Sequence, residues 1–431
     1  MTKFFKILLI LILLFLGNFA FAANINLLDS SYNQQEIENI INQMSAGSPL
    51  VVKLLEIASD EEKLREVLDS LSGSFLTNIM TMGARGDYFG MFQAMKIPVL
   101  STTINTMTPG AKAIWFQGLY NELYFGSGNN QTLGNFISRG GRARVGKDLY
   151  YFLNGMFGIF AGYDRKELSQ ANNKADMDDF EFGTYGGLNI PLNSGYPVNI
   201  KWIVSGAYQE YRTLRKIDLP DFVFWPRAKI NTYGARGAAE IEMRIKQNKV
   251  LLEYIPFVTV ESGYIINDKY EETGGEYTAL AAGASAYTRL ETLGGLRIEG
   301  RNKNVKWYGK FFAGQLIVGA RQKYSLSLSS YSSLGNMNIE NDEMSELYGG
   351  AGFGIEYNFT KIKKIGIDEE FALTGLSLYF DIEGRFSKNL QSYGGQAGLI
   401  YKFPQKIRFV KPRVQKKYLE SKDLIIRKKD L

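Results

Sequence analysis

The chain has 431 residues, among them 45 Gly, 26 Tyr and 28 Phe, only 10 Pro, and neither Cys nor His. Without Cys there is no disulfide and no thiol nucleophile; without His the commonest general base and transition-metal ligand are missing, which excludes a Ser-His-Asp or zinc hydrolase. The formal charge of +6 sits mostly in the last 28 residues, where ten Lys/Arg face three Asp/Glu, so the rest is close to neutral and no nucleic-acid partner is expected.

In chain order, Lys3 and Lys6 precede an unbroken apolar run from Ile7 to Leu16. Ten apolar residues are too few to cross about 30 Å of hydrocarbon as a helix. Residues 1–22 therefore read as a cleaved secretory signal peptide rather than an anchor, with Ala20 and Ala22 at the −3 and −1 positions of the cleavage site. No later stretch reaches 18 apolar residues, so the mature chain can enter a membrane only as a closed barrel.

Residues 23–110 form a short helical segment and linker. Ile37, Ile40, Ile41 and Met44 recur at helical spacing, and so do Leu64, Val67, Leu68, Leu71, Phe75, Leu76, Ile79 and Met80. Two amphipathic helices are expected, the second capped by Ser59 or Asp60. The pattern leaves open whether they lie outside, within a pore or in the periplasm.

From 111 to 403 the period changes to two. Leu376, Leu378, Phe380 and Ile382 alternate with Ser377, Tyr379, Asp381 and Glu383, and Leu347, Ala351, Phe353, Ile355, Tyr357 and Phe359 share one side of another strand. A soluble sandwich would bury two such apolar faces against each other. Long strands, the signal peptide and aromatics near strand ends (Tyr233, Tyr357, Tyr401) point instead to an all-β fold, a transmembrane antiparallel up-and-down barrel. Twelve strands are expected, at 113–126, 136–149, 152–166, 178–190, 199–214, 228–246, 250–266, 282–300, 305–325, 344–360, 373–387 and 390–403. The stretch 276–300 reads equally as one long strand or two short ones. Tight connections at 247–249 and 301–304 suit periplasmic turns, and long ones at 167–177, 215–227, 267–281 and 326–343 suit outer loops. "KIKKIGIDEE" is long where a periplasmic turn should be short.

The same alternation turns Arg142, Arg144, Arg236, Glu240, Glu242, Arg244, Arg321 with Lys323, and Glu356 towards the lumen. Charges there must be hydrated or paired across strands. Such a lining suits a threaded helix of mixed charge, a small ion-conducting pore, or cross-strand pairing that stiffens the wall. No catalytic residue, metal or cofactor is expected.

The segment "QAGLIYKF", with Gln396, Gly398, Tyr401 and Phe403, resembles the assembly signal on the last strand of outer-membrane barrels. The wider chain resembles the C-terminal translocator barrel of autotransporters (type V secretion). The likeness runs through Trp115 and Gly118 of "AIWFQGLYNELYFG", Glu253 and Pro256 of "LLEYIPFVTVESGYI", and Arg289, Leu293 and Gly294 of "TRLETLGGLRIEG". It implies a monomer in the outer membrane of a Gram-negative-type envelope, inserted by the barrel assembly machinery with periplasmic chaperones. It also implies a passenger ahead of the barrel and a helix threading the pore. Here only about 90 mature residues precede the first strand, and Asn-Asn pairs, where some members cleave, occur only at 129–130 and 172–173. The basic tail 404–431 reads as a disordered periplasmic extension, or as a segment touching cell-wall polymer or anionic headgroups. The expected function is a translocator that exports or displays its short N-terminal segment. The alternative is a porin-like or structural barrel with the helices as plug or periplasmic element.

Overall fold

The computed structural model describes residues 32–45, 47–88, 91–92, 95, 113–125, 135–152, 154–192, 196–246, 252–302, 304–341, 347–359, 361–364 and 370–408. Ala20, Ala22 and the tail beyond 408 lie outside the described residues.

Twelve long strands form one antiparallel sheet: β1 Ala113–Phe125, β2 Phe136–Phe152, β3 Gly155–Gln170, β4 Asn173–Ile190, β5 Val198–Leu214 and β6 Arg227–Met243. They continue as β7 Leu252–Asn267, β8 Ser285–Asn302, β9 Val305–Val318, β10 Leu347–Asn358, β11 Glu370–Phe386 and β12 Leu390–Arg408. Each pairs with the next, and β12 closes on β1, from Ala113 opposite Lys402 to Phe125 opposite Leu390. Closure leaves no open edge, which is what allows a sheet to sit in hydrocarbon.

The outer wall is apolar and uncovered: Phe182 is 63% exposed and Phe311 64%. Tyr163, Phe180, Tyr208 and Tyr233 stand directly opposite one another across β3–β6. One step towards the loops the same register carries Arg165, Asp178, Glu210 and Asn231. This aromatic row therefore marks the boundary between lipid and headgroups.

Several sequence expectations are corrected. The connection at 167–177 is not a long loop: β3 and β4 continue to a two-residue turn, Ala171-Asn172, with Ala171 at φ 52°. Outward charges such as Glu167 and Asp176 hid this continuation, because they project into water above the apolar band. The strand expected at 305–325 ends at Val318, where Gly319 (φ 105°) and Arg321 (φ 51°) turn the chain away from the barrel. The stretch 276–300 holds one long strand, β8, preceded by a short strand at Leu280–Ala282. β12 runs past Phe403 to Arg408, pairing with Glu370–Leu373 of β11, so the first residues assigned to the tail belong to the barrel wall.

Among the described residues four helices with defined bounds, not two, precede the wall: α1 Tyr32–Ile41, α2 Pro49–Ile57, α3 Glu61–Ser72 and α4 Ser74–Met82. Asp60 caps α3 as expected, its carboxylate accepting from the Lys63 N–H at 3.1 Å. Gly73 separates α3 from α4 because it sits at φ +79°, and a Cβ there would meet Leu280 and Leu326 at 2.6 and 2.8 Å. The helical period continues through this glycine, so periodicity alone did not reveal the break.

Candidate functional site: the occupied lumen

The N-terminal segment occupies the barrel from one mouth to the other. At the loop end, outer connections build a four-stranded sheet (270–271, 280–282, 323–328, 337–340) and a hairpin at 217–224. α1–α3 and the first turn of α4 pack with these into a cap. Its core joins Leu50, Leu71, Phe75 and Leu76 to Ile217, Leu280, Leu326 and Ile339. Inside the cap, Arg215 and Glu272 are wholly buried and doubly bonded at 2.7 and 2.6 Å. Arg215 also donates to the carbonyls of Ser70 and Thr278, tying α3 to the loops. Burial, with Glu272 beside it, pushes the Tyr270 hydroxyl well above its ordinary range, so this phenol stays neutral.

Below the cap, every residue of α4 is buried. The helix ends at Met82, and the chain descends in irregular conformation past a ring of charged wall residues. Arg142 donates to Asp164 at 3.0 and 2.7 Å and, through Nη1, to the Gly86 carbonyl. Arg144 is braced by Glu181 at 3.1 and 3.0 Å and donates to the carbonyls of Gly86 (2.6 Å) and Asp87 (3.3 Å). Arg236 holds both oxygens of Asp179 at 2.7 Å and donates to the Arg85 carbonyl at 3.3 Å. Gln209 donates to the Gly83 carbonyl at 3.0 Å.

Side chains of the segment add their own contacts. Asp87 lies 3.6 Å from Lys166 and accepts from Asn121 at 3.1 Å. The Tyr88 hydroxyl donates to Glu181 and lies 2.5 Å from the Ser205 hydroxyl, with the Arg144 guanidinium 4.9 Å above its ring. Gly263 lets the segment pass: a Cβ there would stand 2.1 Å from the Ala84 carbonyl oxygen. At the far mouth, Met91, Phe92 and Met95 join Trp115, Met156, Phe160, Tyr185 and Ile400 in a second apolar cluster. Among the described residues the lumen is thus filled by a cap core, a charged belt and an aromatic foot.

The structure places Arg142, Arg144, Arg236, Glu240, Glu242 and Glu356 on the inner wall, buried, as their alternation requires. Among the described residues, the first three of these donate to the N-terminal segment. Glu240 and Glu242 belong to a separate wall cluster near the far mouth, with Lys201 at 3.0 and 2.9 Å and Arg297 at 3.3 and 2.8 Å. Arg244 joins that cluster from just beyond β6, reaching Glu242, Glu253 and Glu299. Arg321 does not face the lumen. It lies in the turn after β9, and Lys323 stands on the loop sheet, 4.2 Å from the Tyr32 ring centroid. Of the assembly-signal residues, Gln396 points inward and accepts from Gln117 at 2.6 Å, while the Tyr401 and Phe403 rings sit 5.4 Å apart. Tyr379 covers Gly398, where a Cβ would come within 2.2 Å of the ring.

Sequence reasoning missed Asp164, Lys166, Asp179, Glu181, Gln209 and Lys310 on the inner wall, all buried. The signal was present: Asp164 and Lys166 alternate in step with Phe160 and Leu168, and Asp179 and Glu181 with Met177 and Tyr185. All four lie inside the expected strands 152–166 and 178–190, so the alternation already turned them towards the lumen.

A closed barrel with a bare apolar exterior and a polar lumen filled by its own chain is an outer-membrane β-barrel of the translocator class. The chain belongs to the autotransporter family: the description "Autotransporter beta-domain" matches residues 114–367. Among solved structures it is similar to the translocator domain of the autotransporter NalP from Neisseria meningitidis, at 12% identity, covering 69% of this chain and 90% of that one with a TM-score of 0.51. It is also similar to the transport unit of the autotransporter AIDA-I from Escherichia coli, at 12% identity, 78% and 99% coverage and a TM-score of 0.47. The β domain of the Bordetella autotransporter BrkA matches at 15% identity, 68% and 100% coverage, TM-score 0.47. No curated protein matches the chain by sequence.

Proposed function

We propose that this barrel carries its own N-terminal segment across the outer membrane of a Gram-negative-type envelope and retains it there. α1–α3 then serve as an external cap, and residues 73–88 with Met91, Phe92 and Met95 as the stopper. The observation that carries this reading is the path of the chain. The helices pack at the loop end, the backbone descends through the lumen, and β1 begins at the opposite mouth with Ala113 beside Lys402. Outer-membrane barrels hold their longer loops outside, so the helices lie on the exported side.

The barrel would work as a monomer without catalysing a reaction, with lipid around its wall. The assembly machinery and periplasmic chaperones would handle its insertion, and the basic residues after 408 would remain in the periplasm, within reach of cell-wall polymer. The filled lumen disfavours a freely conducting porin.

The test is an epitope placed after Ala23 in intact cells. Protease added outside should remove it while a periplasmic control protein survives. Removal only after the outer membrane is opened would overturn the reading.

A further inference from the structure

We infer that the belt of Arg142, Arg144, Arg236 and Gln209 is a binding site for peptide backbone, so that its ligand class is any extended polypeptide in the lumen, whatever its side chains. Four observations carry this.

The donors come from three strands, β2, β5 and β6, and together hold the consecutive carbonyls of Arg85, Gly86 and Asp87 and that of Gly83. Main-chain oxygens occur in every sequence, whereas the side-chain contacts of Asp87 and Tyr88 belong to this segment alone.

Each guanidinium is braced by a wall carboxylate: Arg142 by Asp164, Arg144 by Glu181 and Arg236 by Asp179. Arg142 and Arg144 spend the Nε–Nη2 edge on the carboxylate and Arg236 its Nη2, and each turns Nη1 to a segment carbonyl, so the wall sets the donor directions without help from the segment.

The held stretch is the part of the segment that is not helical. Its carbonyls are free to accept, while those inside α4 are used by the helix itself. The belt therefore selects unfolded chain over helix.

Finally, Gly263 clears room for main chain at this level, where a Cβ would strike the Ala84 carbonyl oxygen. A wall shaped to grip side chains would need no such clearance for backbone.

Combined with the translocator reading, on which this extension rests, the belt would hold each stretch of exported chain through its backbone as it passes. The resident segment is the last stretch held.

The test compares two full-chain variants in planar lipid bilayers, with folding checked by heat-modifiable electrophoretic mobility. The first weakens the belt: Arg236→Met with Asp179→Asn, so that no wall charge is stranded. The second strips the segment: Arg85→Ala, Asp87→Asn and Tyr88→Phe. One lost charge-assisted bond is expected to raise the open fraction about ten-fold in the belt variant. The stripped segment should raise it only about three-fold in all, most of it from Asp87, because Lys166 keeps Asp164 and Glu181 keeps Arg144 when the segment's side chains are lost. Should the belt variant fail to fold, Gln209→Leu tests the same site with a neutral residue and should again exceed the stripped segment. Equal or greater opening by the stripped segment overturns the inference. The external epitope assay is run on the same strains. If the wild-type epitope stays protected, the translocator reading fails while the bilayer comparison still judges the belt.

Discussion

Asp87 and Lys166 face each other across 3.6 Å inside the barrel, one from the N-terminal segment and the other from β3. Lys166 also pairs with Asp164 at 3.3 Å, so its charge does not depend on Asp87. This asymmetry decides what substitution does. Asp87→Asn leaves Lys166 neutralised and should raise bilayer openings only two- to three-fold, by roughly 0.5 kcal/mol. Asp87→Lys sets a cation beside Lys166 among the belt arginines and should eject the segment, giving a persistently conducting barrel. A D87K channel that stays closed would show that the charge pair contributes nothing to retention.

Gly263 makes a sharper steric prediction. In Gly263→Ala the new methyl would stand 2.1 Å from the Ala84 carbonyl oxygen, a main-chain atom that cannot rotate aside. The substitution faces the lumen, so the pairing of β7 with its neighbours should survive. Expected results are normal heat-modifiable mobility, raised conductance and a newly protease-sensitive α4. Gly309→Ala, where nothing lies within 4 Å of the new Cβ, is the silent control.

In the cap, Arg215→Met strands a fully buried Glu272, a change that typically costs about 3–5 kcal/mol. The loss should be confined to the cap: α1–α3 become protease-sensitive while the barrel melts as before. Adding Glu272→Gln removes the stranded charge and should restore most of the protection. If the double variant remains as sensitive as the single one, hydrogen bonds to Ser70 and Thr278, not charge, hold the cap.

Assembly is predicted to depend on the glycine under Tyr379. A side chain at Gly398 would meet the Tyr379 ring at 2.2 Å, on the strand that closes the barrel against β1. Gly398→Val should slow the appearance of the folded electrophoretic form, and Tyr379→Ala in the same chain should recover part of the rate. Tyr401→Ser with Phe403→Ser acts separately, by removing the edge-to-face pair from the lipid face. That variant should insert more slowly without gaining from Tyr379→Ala.

What the sequence determined by itself was whatever repeats over a few residues. Alternation along each strand is a local property: Leu378, Phe380 and Ile382 must share a face whatever they pair with, and in the fold they stand on the outer wall. The barrel class, the strand number, the inward placing of Arg142, Arg144 and Arg236, and the Asp60 cap were therefore legible. The tertiary structure alone decided the rest, because it depends on residues far apart in the chain. Charged alternation in 167–177 reads as loop until β3 and β4 are paired above the apolar band. Arg321 read as strand until the Gly319 turn removed it. The helices α1–α4 could have packed anywhere their apolar stripes found cover. They found it in the loop sheets and upper lumen, in the space that closure of β12 on β1 encloses.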